Sequence, residues 1–277
     1  MTERYRTWLH APGDRPYRCL KALVSGADQA IWDLEDAVYV AAKVTARKLV
    51  AELLCGNLPR VPWVRINGLD TAWGEDDFKS LVGIFANRVP RFVIPKATVA
   101  IAQKVADFGV DGERLYIVET ASGVADLMNA VRPWPSLGSA RLAFGALDYR
   151  NDIRALETPD ESELLFARSL LVVTSRQWGW PAPIDSAFPN ISQGVGLKGS
   201  TQRGRALGMG GKMIIHPDQI RSVHEVYAPT AEELSRAERV LAATSSKGVV
   251  QVDGIMVDRP IIEQARQVLD QKQTPNA

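Results

Sequence analysis

Cysteine is scarce in this chain: Cys19 and Cys55 are the only two in 277 residues. Both fall in stretches of helical period, so neither a disulfide framework nor a cysteine-based metal site is expected, and a reducing compartment fits. Histidine is nearly as rare. His10, His216 and His224 are too scattered for a zinc signature. An excess of one charge is also missing, with 33 basic against 32 acidic residues. No global field recruits nucleic acid or an anionic membrane, although a small anionic substrate remains compatible. No apolar run approaches the 18 or so residues of a spanning helix, and the opening MTERYRTWLH has no apolar signal core. A soluble, cytoplasmic, untargeted protein is expected. Glycine loops for nucleotides are lacking too. Gly204, Gly208, Gly210 and Gly211 follow a helical stretch and lead into a strand, the reverse of the phosphate-binding context, and read as turn residues.

What the chain does have is alternation. Eight short apolar runs, at 6–13, 30–36, 62–67, 91–96, 114–120, 141–148, 181–188 and 212–217, each end on a polar residue, Gly or Pro and precede a helical segment. Gly56 and Gly109 stop two of those helices, and a capping box from Thr158 to Glu161, with Pro159 at the first helical position, opens a helix that runs to Gly179. Eight βα units in about 225 residues predict a (β/α)8 TIM barrel. A doubly wound open sheet is the alternative, because periodicity alone does not show closure. The barrel is expected over 1–228, with 229–277 as a small helical and hairpin lid segment. That segment reads as a capping box at Thr230 to Glu233, a helix, a turn at SSKG (245–248), a hairpin in VVQVDGIMVD, a last helix from Arg259 and a frayed tail (270–277).

The stretch from Arg114 to Asp148 carries the chemistry. It reads as an apolar strand ending in Glu119, a helix, a turn and another apolar strand ending in Asp148. Parallel strands of one βαβ unit lie side by side, so the two carboxylates converge on one rim. Neighbouring anions repel unless a cation or a shared proton relieves them, and Mg²⁺ held by one or two carboxylates with water and substrate oxygens is the simplest remedy; a helix cap is the structural role open to either acid alone.

In a barrel the active site lies at the C-terminal strand ends. Those ends supply His10 with Pro12 and Gly13, then Asp33, Glu35, Asp36, Arg65, Asn67, Lys96, Glu119, Asp148, Asp185 and His216. Arg65 offers a bidentate fork for a substrate carboxylate, or else a salt bridge to Glu35 or Asp36. Lys96 suits a carboxylate or an ion pair within the acidic ring, but not a Schiff base, since nearby acids keep its amine protonated. Arg15, Arg18 and Lys21 near the first βα loop are available for phosphates, though they equally suit a solvated helix face.

Taken together, WLHAPGDRP, DLEDAV, VRIN, IPK, IVETASGV, FGALD and GGKMIIHPDQI resemble, in order and spacing, the citrate lyase β-subunit-like branch of the HpcH/HpaI aldolase superfamily. The resemblance implies a TIM barrel with Mg²⁺ on Glu119 and Asp148. It implies substrate held by Arg65 and Glu119, within a pocket that includes Pro12, Gly13, Glu35, Asp36, Lys96, Gly145 and Ala146. The implied reaction is reversible cleavage of a 3-hydroxyacyl-CoA, of the (S)-citramalyl-CoA or malyl-CoA type, to acetyl-CoA and a 2-oxo acid. The tail VDGIMVDRPIIEQA resembles the lid of the malyl-CoA and citramalyl-CoA lyases, which implies a homo-oligomer, by family habit a trimer, with Asp258 as acid/base in a neighbouring subunit's site. A helix N-cap is the structural role open to the same residue. His10, where relatives usually carry an apolar residue, and 186–201 depart from the pattern. Three other functions stay open: a citrate lyase β subunit acting on a citryl thioester, a non-catalytic carboxylate-binding barrel, and a metal-dependent aldolase on free hydroxy-oxo acids.

Overall fold

The computed structural model describes residues 5–85, 88–244 and 250–272; the SSKG turn and the end of the tail lie outside them. The chain divides into two compact units, Met1–Val223 and His224–Ala277, so the division comes a few residues before the position expected from sequence.

The first unit alternates strand and helix: β1 (Thr7–Pro12), α1 (Pro16–Leu23), β2 (Gln29–Asp33), α2 (Lys43–Cys55), β3 (Trp63–Arg65), α3 (Gly74–Val82), β4 (Arg91–Ile94), α4 (Val99–Asp107), β5 (Glu113–Val118), α5 (Ala121–Asn129), β6 (Ala140–Phe144), α6 (Ala146–Ile153), α7 (Leu165–Gln177), β7 (Ile184–Asp185), α8 (Gly194–Leu207) and β8 (Gly211–Ile214). All eight strands are parallel, and β8 pairs with β1, which closes the barrel and removes the open-sheet alternative.

Strand alternation decides what faces the axis. Trp8, Ile31, Trp63, Val93, Leu115, Ile117, Ala143, Ile184 and Met213 form one buried apolar layer. Trp8 and Trp63 pack with ring centroids 5.1 Å apart. Two residues further along the same strands, the inward positions are His10, Asp33, Arg65, Glu119, Gly145 and Ser186, so a polar layer rests directly on the apolar one. The residue between falls on the other face. Asp185 and Lys212 therefore point at the helices, where Asp185 is buried against Arg168 Nε (2.8 Å) of α7 and Lys212 Nζ (2.9 Å). Asp185 is thus not a rim residue as its strand-end position suggested. It neutralises buried cations between barrel and helices.

Two further expectations are corrected. Asp148 is not at a strand end: β6 stops at Phe144, Gly145 turns the chain, and Asp148 sits in the first turn of α6, where a helix N-terminus favours an acid. The helix expected from Pro159 begins later, with a 3-10 turn at Ser162–Leu164 before α7, because Glu161 takes a left-handed conformation (φ 55°). Thr158 still caps, accepting the Ser162 N–H at 3.1 Å. Cys19 and Cys55 are both unpaired thiols, and burial raises the Cys19 pKa to about 12, which leaves it inert.

The helix α9 (Gln219–Tyr227) crosses the division between the units. The second unit continues with α10 (Ala231–Thr244), a hairpin of β9 (Val250–Val252) and β10 (Ile255–Val257), and α11 (Arg259–Lys272). Its capping box is reciprocal: Thr230 N–H donates to Glu233 Oε2 at 2.7 Å, and Glu233 N–H to Thr230 Oγ1 at 3.1 Å. Asp253 and Gly254, both at positive φ, make the two-residue turn that the Asp-Gly pair favours. Ala237, Val240, Val257 and Ala265 form its own small core.

Candidate active site

The polar layer opens into a cavity of about 380 Å³ whose walls include His10, Pro12, Arg18, Asp33, Asp36, Arg65, Glu119, Gly145, Asp148 and Ser186. Glu119, Asp148 and Arg65 therefore share one space. Glu35 lies buried behind it, Gly13 and Ala146 are buried beside it, and Lys96 is exposed.

Arg65 is surrounded by three acids. Strand register sets Asp33 opposite Arg65. The guanidinium donates through Nε to Asp33 Oδ1 (2.8 Å) and through Nη2 to Oδ2 (2.5 Å), and Nη1 lies 2.8 Å from Glu35 Oε2 and 3.5 Å from Asp36. The fork expected for substrate thus grips Asp33, and the salt bridges to Glu35 and Asp36 are present as well. A guanidinium has five N–H groups, so the second Nη2 hydrogen remains for a ligand, and Nη1 can serve one only by sharing with or releasing Glu35 and Asp36. Burial opposes the Asp33 charge, but the Arg65 charge overcomes it and holds the carboxyl well below the usual carboxylate range. For Glu35 burial wins: despite Arg65, and helped by Asp36 and Asp33, its pKa rises to about 7. The Glu35 Oε2 contact with Arg65 lacks hydrogen-bond alignment, which leaves that oxygen poorly satisfied. Lys43 Nζ fixes the loop by donating to the Leu34 (3.0 Å) and Glu35 (2.7 Å) carbonyls.

Glu119 is 2% exposed. Its Oε1 accepts the Lys96 N–H at 2.7 Å. Lys96 is a non-glycine residue at φ 48°, a conformation that costs energy and turns its N–H toward the carboxylate. The contribution of Lys96 here is backbone, not ammonium. Burial, then the negative charge of Glu35, and more weakly that of Asp148, push the Glu119 pKa to about 8 against the pull of Arg65 and the Lys96 N–H. Gly145 makes room for Glu119, since a Cβ there would fall 2.6 Å from Glu119 Cβ and closer still to Oε2. The next residue, Ala146, donates its N–H to Ser186 Oγ at 2.9 Å.

The residues present fit a magnesium ion. Two carboxylates, Glu119 and Asp148, face one cavity in a region of surplus negative charge, and a divalent cation is what would let both ionise. Among the described residues no group of three or more His, Cys, Asp or Glu side chains forms a closed metal cage. Magnesium is the ion that accepts so sparse a set, because water and substrate complete its shell.

A family model described as HpcH/HpaI aldolase/citrate lyase matches residues 6–217, and one described as a C–C bond lyase of the TIM-barrel fold matches 166–274. The chain belongs to the HpcH/HpaI aldolase/citrate lyase family. Citrate lyase subunit beta of Leuconostoc mesenteroides subsp. cremoris is 34% identical, covering 95% of this chain and 92% of the relative. The (3S)-malyl-CoA thioesterase of Cereibacter sphaeroides is 32% identical, covering 96% and 93%. The CitE protein of Mycobacterium tuberculosis, solved in complex with magnesium, acetoacetate and coenzyme A, superposes with a TM-score of 0.83 at 29% identity, covering 97% and 98%. Membership of the family makes the chain a carbon–carbon lyase of the CitE-like type.

The pairing of Asp33 with Arg65 and the place of Ser186 in the polar layer are not among the expectations from sequence. Strand alternation contained both inward positions: Asp33 is two residues beyond the buried Ile31, and Ser186 two beyond Ile184. Asn67 and His216 leave the site. Asn67 donates to Asp77 Oδ2 at 2.6 Å, and His216 Nδ1 accepts the Asp218 N–H at 3.2 Å. Asp258 belongs to the second unit, is exposed, and accepts the Ile261 N–H at 3.4 Å, the N-cap position of α11.

Proposed function

We propose that this enzyme is a Mg²⁺-dependent lyase that reversibly cleaves a 3-hydroxyacyl-CoA of the malyl or citramalyl type into acetyl-CoA and a 2-oxo acid. The observation that carries the reading is the convergence of Glu119, Asp148 and Arg65 on one cavity. The magnesium, acetoacetate and coenzyme A bound by the CitE relative support it.

In this reading Glu119 and Asp148 hold the ion, which when bound stabilises negative charge developing on the substrate oxygen. The cavity-facing N–H groups of Arg65 hold the substrate carboxylate, and Asp33 and Glu35 keep the guanidinium from swinging away. The loop from Pro12 to Gly13 and the Gly145–Ala146 turn bound the pocket without intruding side chains. Asp258 of a second copy in a homo-oligomer, by family habit a trimer, exchanges the proton at the acetyl carbon. The enzyme works in the cytoplasm, where acyl-CoA is at hand.

A second reading has support from the citrate lyase β subunits: the substrate is a citryl thioester and the product oxaloacetate. One experiment separates them. Purified full-length protein with Mg²⁺ is incubated with (S)-citramalyl-CoA, malyl-CoA and citryl-CoA while pyruvate, glyoxylate, oxaloacetate and free thiol are followed. Pyruvate or glyoxylate release that stops with EDTA supports the first reading, and oxaloacetate alone supports the second. Free thiol without oxo acid means thioester hydrolysis and refutes both.

A further inference from the structure

His10 lies in the polar layer and lines the same cavity as Arg65, Glu119 and Asp148. It stands on β1, two residues beyond Trp8, and its side chain is 12% exposed, with Nδ1 3.6 Å from Asp33 Oδ2. Asp33 is ionised and anchored by the Arg65 fork. A carboxylate 3.6 Å from Nδ1 is beyond hydrogen-bond distance, but its charge favours the tautomer with the proton on Nδ1, which leaves the lone pair on Nε2. Arg65 can only donate, and Glu119 and Asp148 are committed to the cation. Ser186, another neutral acceptor on the cavity wall, has a hydroxyl that already accepts the Ala146 N–H and is too weakly basic to keep a proton.

We propose that His10 is the base that accepts the proton of the substrate's 3-hydroxyl in the cleavage direction. The inference rests on the lyase reading above. The O–H electron pair forms the new carbonyl of the 2-oxo acid, the C2–C3 bond breaks, and its pair leaves on the acetyl-CoA fragment as the enolate. The hydroxyl proton is on Nε2, and the enolate carbon takes a proton from a separate acid. In the condensation direction His10 returns its proton to the alkoxide. Burial, rather than the charges around the ring, favours the neutral starting state. Burial lowers the His10 pKa below its ordinary 6.5 and Arg65 lowers it further, against Asp33 and Asp36. Arg18 of α1 adds a cation to the same cavity, and on the β8 side the neighbours are Met213 and Ile215, which do not titrate.

The test has a spectroscopic arm and a kinetic arm. With ¹⁵N-histidine only three imidazoles are seen. In the wild type at pH 7, one of them, absent from His10→Gln, should show Nδ1 protonated and Nε2 bare. His10→Gln and His10→Asn should lower kcat/KM for cleavage about 100-fold, in the range of a lost general base, and abolish the acid limb that the wild type shows below pH 6.5. Mg²⁺ affinity should stay within about threefold. A variant with near-wild-type kcat/KM and an intact acid limb overturns the assignment while leaving the lyase reading standing. So does an imidazolium or an Nε2–H tautomer for His10 at pH 7. A wild type that cleaves none of the three thioesters overturns the lyase reading and this inference with it.

Discussion

Gly145 and Glu119 occupy one volume: the glycine's missing side chain is the space in which the Glu119 carboxyl stands, with a Cβ at 145 falling 2.6 Å from Glu119 Cβ. Gly145→Ala should therefore displace the proposed metal ligand without touching the metal. We expect Mg²⁺ affinity to fall about 10- to 100-fold, the range for losing the support of a ligand, with the fold intact. Calorimetric titration beside a circular dichroism spectrum checks this, and unchanged affinity would detach Gly145 from the site.

Arg65 joins substrate binding to stability. Removing it leaves Asp33 and Glu35 buried without their counter-ion, so Arg65→Met should destabilise the protein by on the order of 3 to 5 kcal/mol in urea as well as abolish activity. Adding Asp33→Asn should restore much of the stability and none of the activity. Parallel losses in both variants would show that the pair is not coupled.

The barrel itself was legible because each strand carries an apolar run closed by a polar residue, and alternation told which residues share the axis. Asp33 and Asp185 show where that reading stops. Both are strand-end acids, yet Asp33 faces the cavity and Asp185 faces the helices, and one residue of register separates the two outcomes. Asp148 lines the cavity although it is not at a strand end, since Gly145 stops the strand early and the first turn of a helix still brings the acid to the rim. The grip of Asp33 on Arg65 needed the pairing of β2 with β3, which no local signal supplies.

The buried cluster of Glu161, Arg168, Asp185 and Lys212 should govern acid stability. Burial opposes the Glu161 charge, but Arg168 overcomes it and lowers the pKa from 4.5 to about 2. A depressed acid contributes stability above its unfolded pKa and loses it as pH falls toward the folded value. Wild type should thus exceed Glu161→Gln in urea midpoint at pH 7, and the gap should close as pH falls from 4.5 toward 2. A gap independent of pH would assign the effect to packing.

If Asp258 acts on a neighbouring copy, Asp258→Ala should keep Mg²⁺ binding and lose turnover, as Glu119→Gln loses both. Refolding the two inactive variants together should recover a fraction of wild-type activity, since some sites then pair an intact Glu119 with an intact Asp258. No recovery in the mixed oligomer would place Asp258 in its own chain's site or outside the chemistry.

One cation shared by Glu119 and Asp148 is what the proposed lyase chemistry depends on most. Crystals of the full-length protein soaked in Mn²⁺ as a magnesium substitute, with anomalous differences collected near the manganese edge, test it directly. One peak is expected in the cavity within bonding distance of both the Glu119 and Asp148 carboxylates, lost in Glu119→Gln. A cavity without a peak, or a peak bound by neither carboxylate, would contradict it.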